Sequence, residues 1–123
     1  MESYFVSPPD ETDWHIDPDD FAARLRARWP DAQVRTVTNP MRTDTLDFVI
    51  NVGGERVDGH LDQRGQAVVI EGSPRAAAEV AAWFRSQVPT AQPLVFYDES
   101  YTNSVDLTEG LDPGDIVAPF ALQ

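Results

Sequence analysis

The alternation of apolar and polar positions is clearest between Leu46 and Leu61. Leu46, Phe48, Ile50 and Val52 fall on one side of an extended chain, with Asp47, Val49 and Asn51 on the other. A period of two predicts a strand with one buried face. Gly53-Gly54 follows, a pair suited to a two-residue hairpin turn, where positive φ is required. Folding the chain back there pairs Ile50 with Val57, Phe48 with Gly59 and Leu46 with Leu61, so every inward residue meets an apolar side chain or a glycine. The register is therefore self-consistent, and the Phe48 ring is placed to cover the glycine opposite it. The next strand, 67–71, is joined by Asp62-Gln63-Arg64-Gly65. A four-residue loop predicts Val68 beside Gly59, Ile70 beside Val57, and Arg56 across from Glu71 as an opposite-charge pair.

Two segments switch to helical periodicity. Asp17 suits an N-cap, Pro18 the first helical position, and Asp19 and Asp20 the positive end of the helix dipole. Phe21, Leu25 and Trp29 recur every four residues and Pro30 ends the helix. Ser73 and Pro74 open a second helix, whose stripe is Ala77, Val80, Ala81, Phe84 and Val88, flanked by Trp83 and ended by Pro89. Shorter strands are predicted at 3–7, at 33–38 (broken by Asn39-Pro40), at 94–97 and at 104–107. The tail 109–123, with Gly110, Pro113, Gly114 and Pro119, reads as irregular. The order β-α-β-β-β-β-α-β-β predicts one α+β domain over 1–123. It would be a two-layer sandwich, a mainly antiparallel sheet with two helices on one face. The other face is left for solvent or a partner.

The length of 123 residues and 41% apolar content suit one domain with its own core. There is no cysteine, which excludes disulfides, thiolate metal sites and cysteine nucleophiles. No basic-then-apolar leader and no apolar run of membrane-spanning length is visible, so a cytoplasmic protein is expected. Net charge is −12, from 21 acids against nine arginines and no lysine. The residue usage resembles that of a high-GC bacterium. Such a charge disfavours nucleic acid and anionic membranes, which would repel it, and favours solubility or a basic protein partner.

On the outward side of the central hairpin Asp47 lies opposite His60, with Asp58 and Asp62 two residues either side of that histidine. Carboxylates around one imidazole can hold a divalent cation or orient a histidine base. A metal needs at least three placed ligands, and one is firm here. The plainest reading is a solvated strand face, and the functional reading next to it is a recognition patch. No metal, cofactor or catalytic residue is assigned. His15 reads as part of the approach to the first helix, with Trp14 or Ile16 packing beside it. A second cluster, Tyr97, Asp98, Glu99 and Tyr101, combines aromatics and acids in a turn, a composition suited to protein binding or to tyrosines capping the core. No phosphate-binding glycine loop, H-E-x-x-H, EF-hand spacing or nucleophile elbow around Ser100 occurs.

The expected function is a non-enzymatic acidic module that binds a basic protein through Asp47, Asp58, His60 and Asp62, with Tyr97, Asp98, Glu99 and Tyr101 as a second contact cluster. In size and charge the chain is similar to bacterial immunity proteins, which neutralise a basic toxin by masking it; this likeness is one of type, without a shared motif. The competing class is an enzyme or small-ligand protein with a cleft between sheet and helices, lined by Trp14, Trp83 or Tyr97 with His60 or His15 as base. A nucleic-acid mimic ranks last, because its acids should form paired rows and here they are interspersed with arginine.

Overall fold

The computed structural model describes residues 2–38, 41 and 44–121. In chain order the elements are β1 (Glu2–Ser7), α1 (Pro18–Arg28), β2 (Gln33–Thr36), β3 (Asp44–Val52), β4 (Glu55–Asp62), β5 (Val68–Gly72), α2 (Pro74–Ser86), β6 (Leu94–Asp98), β7 (Ser104–Leu107) and α3 (Pro113–Ala121). The strands form one antiparallel sheet in the order β2-β3-β4-β5-β1-β6-β7. The expected break at Asn39-Pro40 lies outside the described residues.

The β3–β4 hairpin has the register that the alternation predicts: Ile50 opposite Val57, Phe48 opposite Gly59, Leu46 opposite Leu61 and Asp47 opposite His60. Gly53 and Gly54 take φ of 57° and 88°, the left-handed pair that lets a two-residue turn match the strand twist. A Cβ on Gly59 would sit 2.1 Å from the Phe48 ring, so the ring occupies the space that any other side chain would need.

Between β4 and β5 the register differs from the expected one by two residues. Gly59 faces Ile70, Leu61 faces Val68, and Glu71 stands across from Asp58, not Arg56. The cause is Asp62. Its carboxylate accepts from the Gln66 and Ala67 backbone N–H groups at 2.8 and 3.1 Å, while its own N–H donates to the Ala67 carbonyl. That closure pairs Asp62 with Ala67, so the four-residue loop runs over 63–66 and not 62–65, and moving it by one residue shifts every cross-strand pair by two.

The helix caps follow the sequence: Asp17 accepts from Asp19 N–H, Ser73 accepts from Ala76 N–H, and a proline opens each helix. The stretch 109–123, expected to be irregular, instead carries α3, so among the described residues the sheet is accompanied by three helices and not two. Pro113 stands at its first position, where a missing N–H costs nothing. Pro119 lies inside it. Ile116 and Phe120, four residues apart, are buried, and Phe120 packs edge-on against Tyr4 and Phe96 of the sheet. Burial of that stripe outweighs the proline's lost hydrogen bond.

The core is one continuous cluster. Phe21 of α1 contacts Phe48 of β3 and both Trp83 and Phe84 of α2. Inward residues of the central strands are buried and their outward neighbours remain partly or fully exposed. Arg85, at the end of α2, is buried and donates to the carbonyls of Gln92, Val88 and Pro89, tying down the loop toward β6. Burial lowers its pKa and the Glu109 charge opposes that. No described helix is long and apolar enough to cross a membrane.

Candidate functional site

The outward face of the sheet carries one continuous row of residues in register. Arg35 pairs with Asp47, Asp47 with His60, His60 with Val69, Val69 with Phe5, Phe5 with Tyr97 and Tyr97 with Ser104. The two clusters expected from sequence therefore share a face. His60 and Tyr97 are three strands apart along this row, which at the usual strand spacing is about 14 Å.

At one end is an ion-pair network. His60 Nδ1 lies 2.7 Å from Asp47 Oδ1 and 3.3 Å from Asp44 Oδ2, and its Nε2 lies 3.5 Å from Glu71 Oε1. Arg35 donates to the other Asp47 oxygen at 2.8 Å. Asp44 joins because of a β-bulge. The pairing steps from Asp44–Asp62 to Leu46–Leu61, so one extra residue turns Asp44 onto the outward face, where alternation alone would point it inward with Leu46. Glu71 joins because of the shifted β4–β5 register. Neither residue was expected from the sequence.

Of the expected members, Asp47 and His60 meet directly. Asp58 pairs with Arg56 at 3.1 Å and also faces Glu71 across the strands. Asp62 closes the β4–β5 loop. His15 is exposed, with its ring against the Asp13 carbonyl, and takes no part. A cleft of about 390 Å³ opens over this end, lined by Arg35, Asp47, Val49, Asp58, His60 and Glu71 among others.

Donor atoms of Asp44, Asp47 and His60 lie within 4.8 Å of one another, a set of one nitrogen and two oxygens that suits a divalent cation in kind. Each already has a protein partner, since the imidazole bridges the carboxylates and Arg35 holds Asp47. Both nitrogens of His60 are turned toward carboxylates, Nδ1 toward Asp44 and Asp47 and Nε2 toward Glu71. Partial burial pushes the Asp47 carboxyl up, but hydrogen bonding by Asp44, Arg35 and His60 outweighs it and holds Asp47 well below the usual carboxylate range. A carboxyl depressed on folding stabilises the fold above its ordinary pKa and loses that contribution as pH falls below it. Asp47→Asn should thus cost about 1–2 kcal/mol at neutral pH through its lost charge-assisted bonds. The gap to wild type should close as urea titrations are taken down below pH 4, a limit set by the ordinary value of 3.8. A gap that stays constant into acid would contradict the network.

At the other end is an aromatic ladder. Phe5 stacks on Tyr97 at 5.2 Å between ring centroids, and Tyr97 stacks on Tyr101 at 4.5 Å. The Tyr97 hydroxyl meets Ser7 Oγ at 3.1 Å. Tyr101 lies midway along the 99–103 connection between β6 and β7, at φ 60°, and is the non-glycine residue with positive φ among the described residues. A left-handed tyrosine costs about 1–2 kcal/mol. The turn is pinned by Asp98, whose carboxylate accepts from Thr102 N–H and Ser100 Oγ and whose carbonyl accepts from Tyr101 N–H. Glu99 is exposed. Tyr101 is 64% exposed, the most of any aromatic described. Sequence named Tyr97 and Tyr101 but not Phe5, whose place on the ladder follows only from the β1–β6 pairing.

Comparison with protein-family models, with curated proteins and with solved structures found no match to this chain in any of the three.

Proposed function

We propose that this protein is a non-enzymatic binding module that docks a basic protein on the outward face of its sheet, as an inhibitor of the immunity-protein kind would. The observation that carries this reading is the single row joining the ion-pair network to the aromatic ladder. Its aromatic end supplies contact area at low entropy cost. The acids Asp44, Asp47, Asp58, Asp62 and Glu71 outnumber Arg35 and Arg56 around it, and the whole chain at −12 adds long-range attraction for a cation-rich partner.

The test is capture from the producing cells with wild type and with an Asp58→Arg/Glu71→Arg variant, followed by rebinding of the purified pair. The expected result is a basic protein that rebinds wild type, loses at least ten-fold in affinity to the variant, and dissociates progressively with added salt. A partner that is acidic, or whose binding ignores both salt and the charge reversal, would overturn the reading.

A further inference from the structure

We propose that Tyr101 is the anchor of this surface and that it takes an arginine side chain of the basic partner. The inference rests on the docking reading above and names the group recognised. Three observations carry it. The ring of Tyr101 has one face stacked on Tyr97 and is otherwise largely open to solvent. Its backbone is held left-handed in a turn that Asp98 fixes by hydrogen bonds, a conformation glycine or asparagine would adopt with less strain. Strain at an exposed residue marks a position whose side chain serves something other than the fold. Glu99, two residues before Tyr101 in the same turn, is exposed and brings negative charge to it.

A flat cation suits that setting. A guanidinium stacks over a tyrosine face while its edge donates to carboxylates, whereas an ammonium offers a strongly hydrated point charge. The chain already shows this contact internally, with the Arg28 guanidinium 4.6 Å from the Trp29 ring centroid. An arginine on Tyr101 would extend the ladder by one more layer, with Glu99 as its counter-charge.

The experiment measures binding of capped hexa-arginine and hexa-lysine peptides at low salt to wild type, Tyr101→Gly, Tyr101→Asn and Tyr101→Phe, with thermal unfolding of each variant. Wild type is expected to prefer the arginine peptide by about three-fold, the size of an exposed cation–π contact. Tyr101→Phe should keep that preference, and Tyr101→Gly and Tyr101→Asn should abolish it while unfolding no earlier than wild type. Equal binding of the two peptides by wild type, or a preference that survives in Tyr101→Gly, would overturn the assignment of Tyr101 and leave the docking reading standing. Failure of wild type to bind either peptide would instead sink the docking reading itself.

Discussion

Phe21→Ala is expected to destabilise the protein by about 3–5 kcal/mol, the range for emptying a large buried aromatic site. Phe21 is fully buried and is the ring through which α1 reaches both Phe48 of the sheet and the Trp83–Phe84 pair of α2. Its loss removes the transfer energy of the side chain and also leaves a void among rings held in place by the backbones of two different elements, β3 and α2, so relaxation is limited. A denaturant titration should show a lower midpoint with an unchanged slope, since the native fold and the surface exposed on unfolding stay the same. A cost under about 1 kcal/mol, the scale of an ordinary surface change, would mean that α1 does not hold this position.

Gly59→Ala should cost about 1–3 kcal/mol, the range for overpacking a filled core site. The sign is the informative part. In a strand with room for a methyl group, alanine would stabilise by about 0.5–1 kcal/mol through reduced backbone freedom in the unfolded chain. Here the new Cβ would lie 2.1 Å from Phe48 Cζ and 2.4 Å from its Cε2, so the ring must move or the strands must part. Shortening the ring should relieve the clash. In a Phe48→Leu background the same Gly59→Ala change should lose at least half its cost, a coupling that a double-mutant cycle measures. Additive costs would place Phe48 somewhere other than over Gly59.

The central hairpin was legible because several signals agree there. The Gly53-Gly54 turn, the alternation on both arms and the match of Phe48 to Gly59 all specify one register, and a one-residue slip would bury Asp47 and His60. The helix caps at Asp17 and Ser73 were legible for a similar reason, each followed by proline and an apolar stripe. The β4–β5 register was not, because Asp62 closes its loop with a side chain, and loop length counted along the chain does not reveal which groups the carboxylate will hold. The third helix was hidden by Pro113 and Pro119, read as breakers, although Ile116 and Phe120 stand four apart on what proved to be its buried side. At the candidate site, Asp47 and His60 followed from alternation. Asp44 required the bulge beside Thr45, Glu71 the shifted register, and Phe5 a pairing with a strand far along the chain, at Tyr97. Each of these is a non-local pairing decision, and local pattern carries little information about it.

The most direct test of the account is a map of backbone amide shifts in isotope-labelled protein titrated with its captured basic partner. The account predicts the largest changes along Asp47, His60, Val69, Phe5 and Tyr97 and at Tyr101. Changes confined to the exposed sides of α1 and α2, with this row unmoved, would contradict it.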